Sequence, residues 1–295
     1  MATPLASVVT VLAALTSLAL AVGALARRPR GVLHWSFALG AAGFAAEATA
    51  AWIVLTQTMT PAARLSSLQG LEIARLMLVA PWAIFAVALL HRGQPATTRM
   101  TRYGLLGWLA VLLVAVGAVL FTPAYDVSDV EASFYAARLT ASGQFSTVVQ
   151  VASMVALLAA LEATLRTSRG VIRWRTKFLV LGLGGALLVR FYFLSQTLLF
   201  HVVMASYLTA GAATQAVANL AIAASLLRDR LSTELAVSRQ MVYRSVTVGV
   251  LGLYLVAVGV LGWLLNSLGL SDAVVWGSLI ILITALALAA VMLSE

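Results

Sequence analysis

The sequence predicts an all-α polytopic membrane protein with about nine transmembrane helices, its N-terminus outside and its C-terminus in the cytoplasm. Hydrophobic residues make up 62% of the 295 residues and charged residues only 10%, whereas a soluble domain carries roughly 25% charged residues. Apolar stretches recur along the whole chain at about the 20-residue length that crosses a bilayer. Basic residues are concentrated in alternate loops, and this asymmetry indicates the orientation.

Nine apolar runs, separated by charged or turn-forming clusters, are predicted to form a single transmembrane domain over residues 1–295. The first run follows MATPLASVV, which lacks the basic segment of a cleavable signal peptide, so we expect it to be an uncleaved span. Spans of this number leave almost no chain for a soluble lobe. The predicted spans are residues 5–26, 34–56, 69–91, 103–121, 142–165, 177–200, 207–227, 246–265 and 273–293.

The charge of the loops predicts which side each loop faces. One set of loops holds 15 of the 19 lysine and arginine residues, while the other set holds only Arg64 and Arg138 among several acidic residues. Basic loops stay in the cytoplasm. The longest outer loop covers about residues 122–140, so no folded external domain is expected. The basic set comprises Arg27, Arg28, Arg30, Arg92, Arg99, Arg102, Arg166, Arg169, Arg173, Arg175, Lys177, Arg228, Arg230, Arg239 and Arg244.

Ionisable residues inside predicted spans form the candidate site, because a charge in the bilayer is costly and usually serves a function. Two carboxylates and two guanidinium groups lie at or beyond the midplane on the outer side, and together they balance to neutrality. Two interpretations stay open: a structural ion-pair network between helices, or a site that responds to a ligand or signal. With nearby amides, the candidate polar cluster comprises Glu47, Glu72, Arg75, Arg190, Gln196, Gln215 and Asn219.

Motifs for catalysis or cofactor binding are not found in the sequence. There is no cysteine, which excludes disulfides and thiolate metal sites. His34, His91 and His201 are remote from one another and lack metal-ligand spacing. The only lysine, Lys177, stands at a helix end, which argues against a retinal protein. We therefore predict no catalytic residue, metal or cofactor, and assign the net charge of +9 to loops facing anionic lipid rather than to nucleic acid.

Tryptophans and glycines of the apolar runs have packing interpretations. Trp52, Trp82 and Trp108 are placed near span ends, where tryptophan belts lie at the membrane interface. Gly182 and Gly184 stand in an apolar helix without the context of a phosphate-binding loop. We expect these glycines to allow close approach of neighbouring helices.

The second half of the chain, from about residue 161 onward, resembles the membrane region of PrsK-type sensor histidine kinases of the PEP-CTERM/exosortase system. The segment RWRTKFLVLGLG at 173–184 is followed by the aromatic segment FYFLSQTLLF at 191–200. A long span then ends in RDR at 228–230, and SRQMVYRSVTVGVLGLYLVAVGVLG follows at 238–262. The resemblance covers roughly the last 130 residues.

This resemblance implies a sensory input domain in the bacterial inner membrane, tied to exopolysaccharide export. In the family, an envelope or lipid-linked signal passes through the last helices of a dimer to a cytoplasmic kinase and its response regulator. The resemblance therefore implies a homodimer formed through the C-terminal helices. The full-length protein would be an ATP-dependent protein-histidine kinase.

Kinase chemistry is absent from this chain, because none of its three histidines precedes an acidic residue and no aspartate begins a DxGxG motif. The chain is expected to have no enzymatic activity of its own. A secondary transporter or permease with a polar site among its helices is the rival interpretation, and it predicts inverted repeats with helices broken at the midplane. A membrane-embedded enzyme is the third alternative, for which no nucleophile is recognised.

Overall fold

Long apolar runs form helices because a backbone in lipid must satisfy its own hydrogen bonds. The computed structural model describes residues 4–26, 31–56, 61–90, 99–126, 136–167 and 170–231. Over these residues it contains seven helices. They are α1 (Pro4–Leu25), α2 (Val32–Thr56), α3 (Pro61–Leu90), α4 (Arg99–Phe121), α5 (Ala141–Thr167), α6 (Gly170–Phe200) and α7 (Ala205–Leu231).

Helices α1 to α6 are long and apolar enough to cross a membrane. This confirms the coarser part of the prediction, a helical multi-pass protein. The seventh helix, α7, carries Gln215 and Asn219 and is not among the six. The predicted spans at 246–265 and 273–293 lie outside the described residues. A total of nine spans and the orientation of the chain stay predictions.

Two helices begin well before the apolar runs that predicted them. Helix α3 starts at Pro61 and α6 at Gly170, about two turns before residues 69 and 177. Proline is favoured in the first turn of a helix, because the amide it lacks would be unpaired there anyway. The hydropathy of a segment indicates where lipid begins, while the helix itself continues into the polar boundary.

The helices pack in a ring with one helix outside it. Each helix of the ring packs on the next: α1 on α2, α2 on α3, α3 on α5, α5 on α6 and α6 on α7. Helix α7 closes the ring by packing against α1. Within the described residues helix α4 packs mainly on α3 and α5, and it exposes Leu113, Val114 and Phe121. Helix α1 exposes Leu15 and Val22. These outward apolar faces are compatible with contact with lipid.

A small antiparallel sheet covers one end of the ring, which the all-α prediction did not include. Its strands are β1 (Tyr125–Asp126), β2 (Ala136–Leu139) and β3 (Val202–Met204), in the order β1-β2-β3. Tyr125 pairs with Leu139, and Ala137 pairs with Val203. His201 has a φ of 56°, a left-handed conformation that turns the chain from α6 into β3.

Trp82 contradicts the prediction that it lies in an interfacial belt. Its side chain is 1% exposed and packs with Phe37, Phe44 and Phe85 at ring-centroid distances of 5.6, 5.1 and 5.6 Å. A Cβ atom at Gly40 would lie 2.6 Å from the indole, so glycine makes room for the ring between α2 and α3. The prediction from its position along the span was therefore wrong, because the indole is buried between helices.

The prediction of close packing is confirmed for Gly182 but not for Gly184. A Cβ atom at Gly182 would lie 2.9 Å from the carbonyl oxygen of Ala218 in α7. Gly184 has open space where its Cβ would be. Gly182 thus allows α6 and α7 to approach closely beside the centre of the ring.

Candidate polar cavity and its ion-pair network

Glu47 links three helices at the centre of the candidate site. Its carboxylate accepts a hydrogen bond of 3.1 Å from Nε of Arg75 on α3, and Nη2 of Arg190 on α6 contacts its other oxygen. The Arg190 guanidinium also lies over the ring of Phe44, 4.6 Å from the centroid, a favourable cation–π arrangement. One carboxylate on α2 therefore pairs with guanidinium groups from two other helices, α3 and α6.

Glu72 is held by a separate set of donors. It is 1% exposed and accepts hydrogen bonds from the Tyr125 hydroxyl at 2.7 Å, the Ser146 hydroxyl at 2.7 Å and the Gln150 amide at 2.6 Å. Nη1 of Arg75 stands 3.8 Å from the same carboxylate. A buried carboxylate is costly unless it is hydrogen-bonded and paired. Three neutral donors meet most of this requirement, so Arg75 pairs more closely with Glu47.

Tyr125 connects the sheet to the ion-pair network. It lies in β1, outside the helices, and its side chain is 2% exposed. Burial, and then the neighbouring Glu72 carboxylate, raise the pKa of the Tyr125 phenol well above its ordinary value of 10.0. Both causes disfavour the phenolate. The phenol therefore remains a hydrogen-bond donor to Glu72 at neutral pH.

We expect Tyr125→Phe to destabilise the protein by about 1.5–3 kcal/mol, the range for a hydrogen bond to a charged group. Because the folded-state pKa is raised, the wild-type contribution is fully present below pH 10.0 and is lost as pH rises through the folded-state pKa. Thermal unfolding of purified protein from neutral to alkaline pH measures this. Tyr103→Phe on α4, where the side chain is 69% exposed, is the matched control. Equal effects of the two substitutions would contradict this role.

A second polar cluster joins α7 to α1. The Gln215 amide donates to Oδ1 of Asn219 at 2.8 Å. The Asn219 amide donates to the hydroxyls of Thr16 at 2.9 Å and Ser17 at 2.8 Å. These bonds satisfy amides that lie in an otherwise apolar interface. Asn219 therefore ties the two helices together, while Gln215 also reaches the cavity described next.

A cavity of about 60 Å³ lies inside the ring, beside the ion pairs. At roughly 10–15 Å³ for each water this is room for about four to six water-sized groups. Helices α2, α3, α5, α6 and α7 and strand β3 contribute to its wall. Its polar lining consists of Glu47, Arg75, Gln150, Arg190, Thr197, Tyr207 and Gln215.

The structure places the seven predicted site residues in three groups. Glu47, Arg75, Arg190 and Gln215 line the cavity. Glu72 and Asn219 lie outside its wall but are hydrogen-bonded to residues that line it. Gln196 on α6 is half-buried and does not line the cavity.

Sequence reasoning missed Tyr125, Ser146 and Gln150. Ser146, Gln150 and Ser153 are buried and recur on one face of α5 at helical spacing. That polar stripe in an apolar run was a usable signal. No sequence signal indicated Tyr125, because its hydrogen-bond partner, Glu72, is 53 residues away in the chain.

Further comparison comes from known proteins. No protein-family model matches the chain, and searches of curated proteins and of solved structures likewise give no match.

Proposed function

We propose that the chain is the membrane-embedded input domain of a two-component histidine kinase. An envelope or lipid-linked signal is received in the cavity and passed through the last helices to a cytoplasmic kinase. The observation that carries this proposal is the polar cavity at the centre of the ring, whose wall includes ion pairs between α2, α3 and α6. A ligand that alters these pairs acts on three helices at once.

The ion pairs have the features needed for two arrangements. Arg75 stands between two carboxylates, 3.1 Å from Glu47 and 3.8 Å from Glu72. A ligand that occupies one guanidinium would change how Arg75 is shared between them. A signal shifts the conformation only to the extent that it binds one arrangement better than the other. The Tyr125 bond to Glu72 extends the same network to the sheet at the end of the bundle.

Part of the segment that resembles sensor kinases lies beside the same cavity, while Arg190 departs from the acidic or neutral polar residue that the family tends to have at that position. The described aromatic segment at 191–200 lies on α6 directly after Arg190. Phe193, Leu194 and Thr197 of this segment line the cavity. The resembling segment at 238–262 lies outside the described residues.

A transporter is less well supported by the described helices. Transport sites of the inverted-repeat type are formed by helices broken near the midplane. Helices α2, α3 and α6 run without a break past Glu47, Arg75 and Arg190. Glu47-dependent solute uptake into proteoliposomes would reverse this ranking.

Autophosphorylation tests the proposed function. Membranes that contain the full-length protein are incubated with labelled ATP, and we expect Arg190→Ala and Glu72→Gln to change phosphate incorporation by about fivefold or more, the scale of a coupling free energy near 1 kcal/mol. Gln196→Ala, on the same helix as Arg190 but outside the cavity wall, is the control and should retain wild-type labelling. No labelled histidine in the wild type, or identical labelling in all variants, would remove the proposal.

The proposed topology has nine spans, an outer N-terminus and a cytoplasmic C-terminus, in the bacterial inner membrane. The absence of cysteine allows single cysteines to report it without background. Ala141→Cys and Thr167→Cys stand at exposed positions at the two ends of α5. We expect an impermeant maleimide added to intact spheroplasts to label position 141 and to label position 167 only after lysis. The reverse pattern would invert the topology. Dimerisation through the C-terminal helices is part of the same proposal.

A further inference from the structure

The cavity wall is rich in hydrogen-bond donors. Arginine carries five N–H groups, and Arg75 and Arg190 each engage Glu47 through a single nitrogen in the described contacts. Gln150 and Gln215 each donate one amide bond to neighbours outside the cavity wall, Glu72 and Asn219. The guanidinium groups therefore retain donor capacity at a cavity that a ligand could fill.

The negative charge on the same wall is already paired. Among the described residues that line it, Glu47 is the single carboxylate, and both of its oxygens already face guanidinium groups. Glu72 does not line the cavity, and its charge is stabilised by three donors, Tyr125, Ser146 and the cavity-lining Gln150. The lining thus presents two positive groups and one negative group. A cationic ligand would meet two guanidinium groups in a medium of low dielectric, where like charges repel strongly.

The size of the cavity and its apolar lining limit the ligand further. About 60 Å³ holds a group of roughly four to six heavy atoms. Phe193, Leu194, Val203 and Leu208 supply an apolar portion of the wall. A carboxylate with a short apolar stem, or a phosphate group, matches this volume and accepts hydrogen bonds from guanidinium in a bidentate manner.

We infer that the cavity binds a compact oxyanion, a carboxylate or a phosphate group, through the guanidinium groups of Arg75 and Arg190. This inference rests on the proposed function, since it names the chemical class of the signal that the same cavity receives. Arg190 is the more direct contact, because Arg75 is shared with Glu72 as well as Glu47. The anion competes with Glu47 for Arg190 and so loosens the link between α2 and α6.

Binding is tested on purified full chain in phosphatidylcholine nanodiscs. Sodium acetate and inorganic phosphate are titrated by calorimetry at constant ionic strength set with chloride, and acetamide serves as the neutral analogue of acetate. We expect saturable binding of at least one oxyanion and none of acetamide. Arg190→Gln should weaken binding about tenfold or more, equivalent to about 1.4 kcal/mol. Arg166→Gln, whose side chain is 78% exposed on α5, should leave binding unchanged.

A second variant keeps the test informative where Arg190→Gln fails to fold. Arg190→Lys retains the charge but not the bidentate geometry, so it should fold and bind with an affinity between those of wild type and the glutamine variant. Equal binding of acetamide, or binding unaltered by both substitutions at Arg190, would overturn the inference.

The source of the anion is distinguished by the lipid. Nanodiscs that contain phosphatidic acid should compete with added phosphate if a lipid headgroup reaches the cavity, and should leave its affinity unchanged if only free anions do. Either result supports an oxyanion site when Arg190→Lys alters it. Anion binding without any effect on autophosphorylation of the full-length protein would leave this inference standing and remove the proposed function.

Discussion

Glu47→Gln is expected to destabilise the protein by about 3–5 kcal/mol, the cost of removing one partner from a buried ion pair. Glu47 is 8% exposed and contacts both Arg75 and Arg190. Its loss leaves the two guanidinium groups, whose side chains are 17% and 18% exposed, with Glu72 as the remaining carboxylate of the network. Unfolding of the purified protein in detergent, followed by circular dichroism, measures the effect.

The same substitution at the surface is its control. Glu162 pairs with Arg166 on α5, with side chains 60% and 78% exposed, and exposed pairs contribute about 0–1 kcal/mol. Glu162→Gln should therefore have little effect. The double substitution Glu47→Gln and Arg190→Gln restores neutrality and should recover part of the lost stability. The effects of substitutions at two contacting charges on stability are not additive. A Glu47→Gln variant as stable as Glu162→Gln would show that the buried pairs contribute nothing to folding.

Gly143→Ala is expected to cost about 3 kcal/mol, by combining steric overpacking with the loss of a hydrogen bond to a charged group. A Cβ atom at Gly143 would lie 2.1 Å from the carbonyl oxygen of Ala124 and 2.8 Å from Cδ2 of Leu139. The Ala124 carbonyl oxygen accepts a hydrogen bond of 3.1 Å from the backbone N–H of Thr140, so it cannot move alone. The displaced segment includes Tyr125, which would lose its contact with Glu72.

Gly184→Ala is the matched control for this substitution. No atom lies within 4 Å of the position that its Cβ would occupy. Alanine is favoured over glycine in a helix by up to about 1 kcal/mol, so Gly184→Ala should be neutral or stabilising. A protease that cleaves in the sheet should attack Gly143→Ala faster than wild type, and equal rates would mean that the sheet stays seated.

Much of the helical framework was predictable from the sequence. Apolar length alone located the six helices that are long and apolar enough to cross a membrane, because lipid admits long helices and excludes unpaired backbone. The four charges of the network were also recognisable, since Glu47, Glu72, Arg75 and Arg190 interrupt apolar runs. Helix starts were less predictable, as α3 and α6 show, because a helix does not end where its hydropathy falls.

Other features depend on contacts between distant parts of the chain. The sheet joins β2 to β3 across more than 60 residues, and strands of two to four residues carry no periodic signal. Trp82 is buried because Gly40 on another helix leaves space for it. Nothing in the spacing of either residue reports that contact.

The ion-pair network shows the same division. Composition and hydropathy indicated that four charges must share the interior, because an unpaired charge there is too costly. They could not indicate that Glu47 would take both guanidinium groups while Glu72 turned to Tyr125, Ser146 and Gln150. These pairings depend on distances of a few ångströms between side chains on different helices. Such distances are set by the tertiary packing of the ring. The cavity beside Arg190 is likewise a product of that packing.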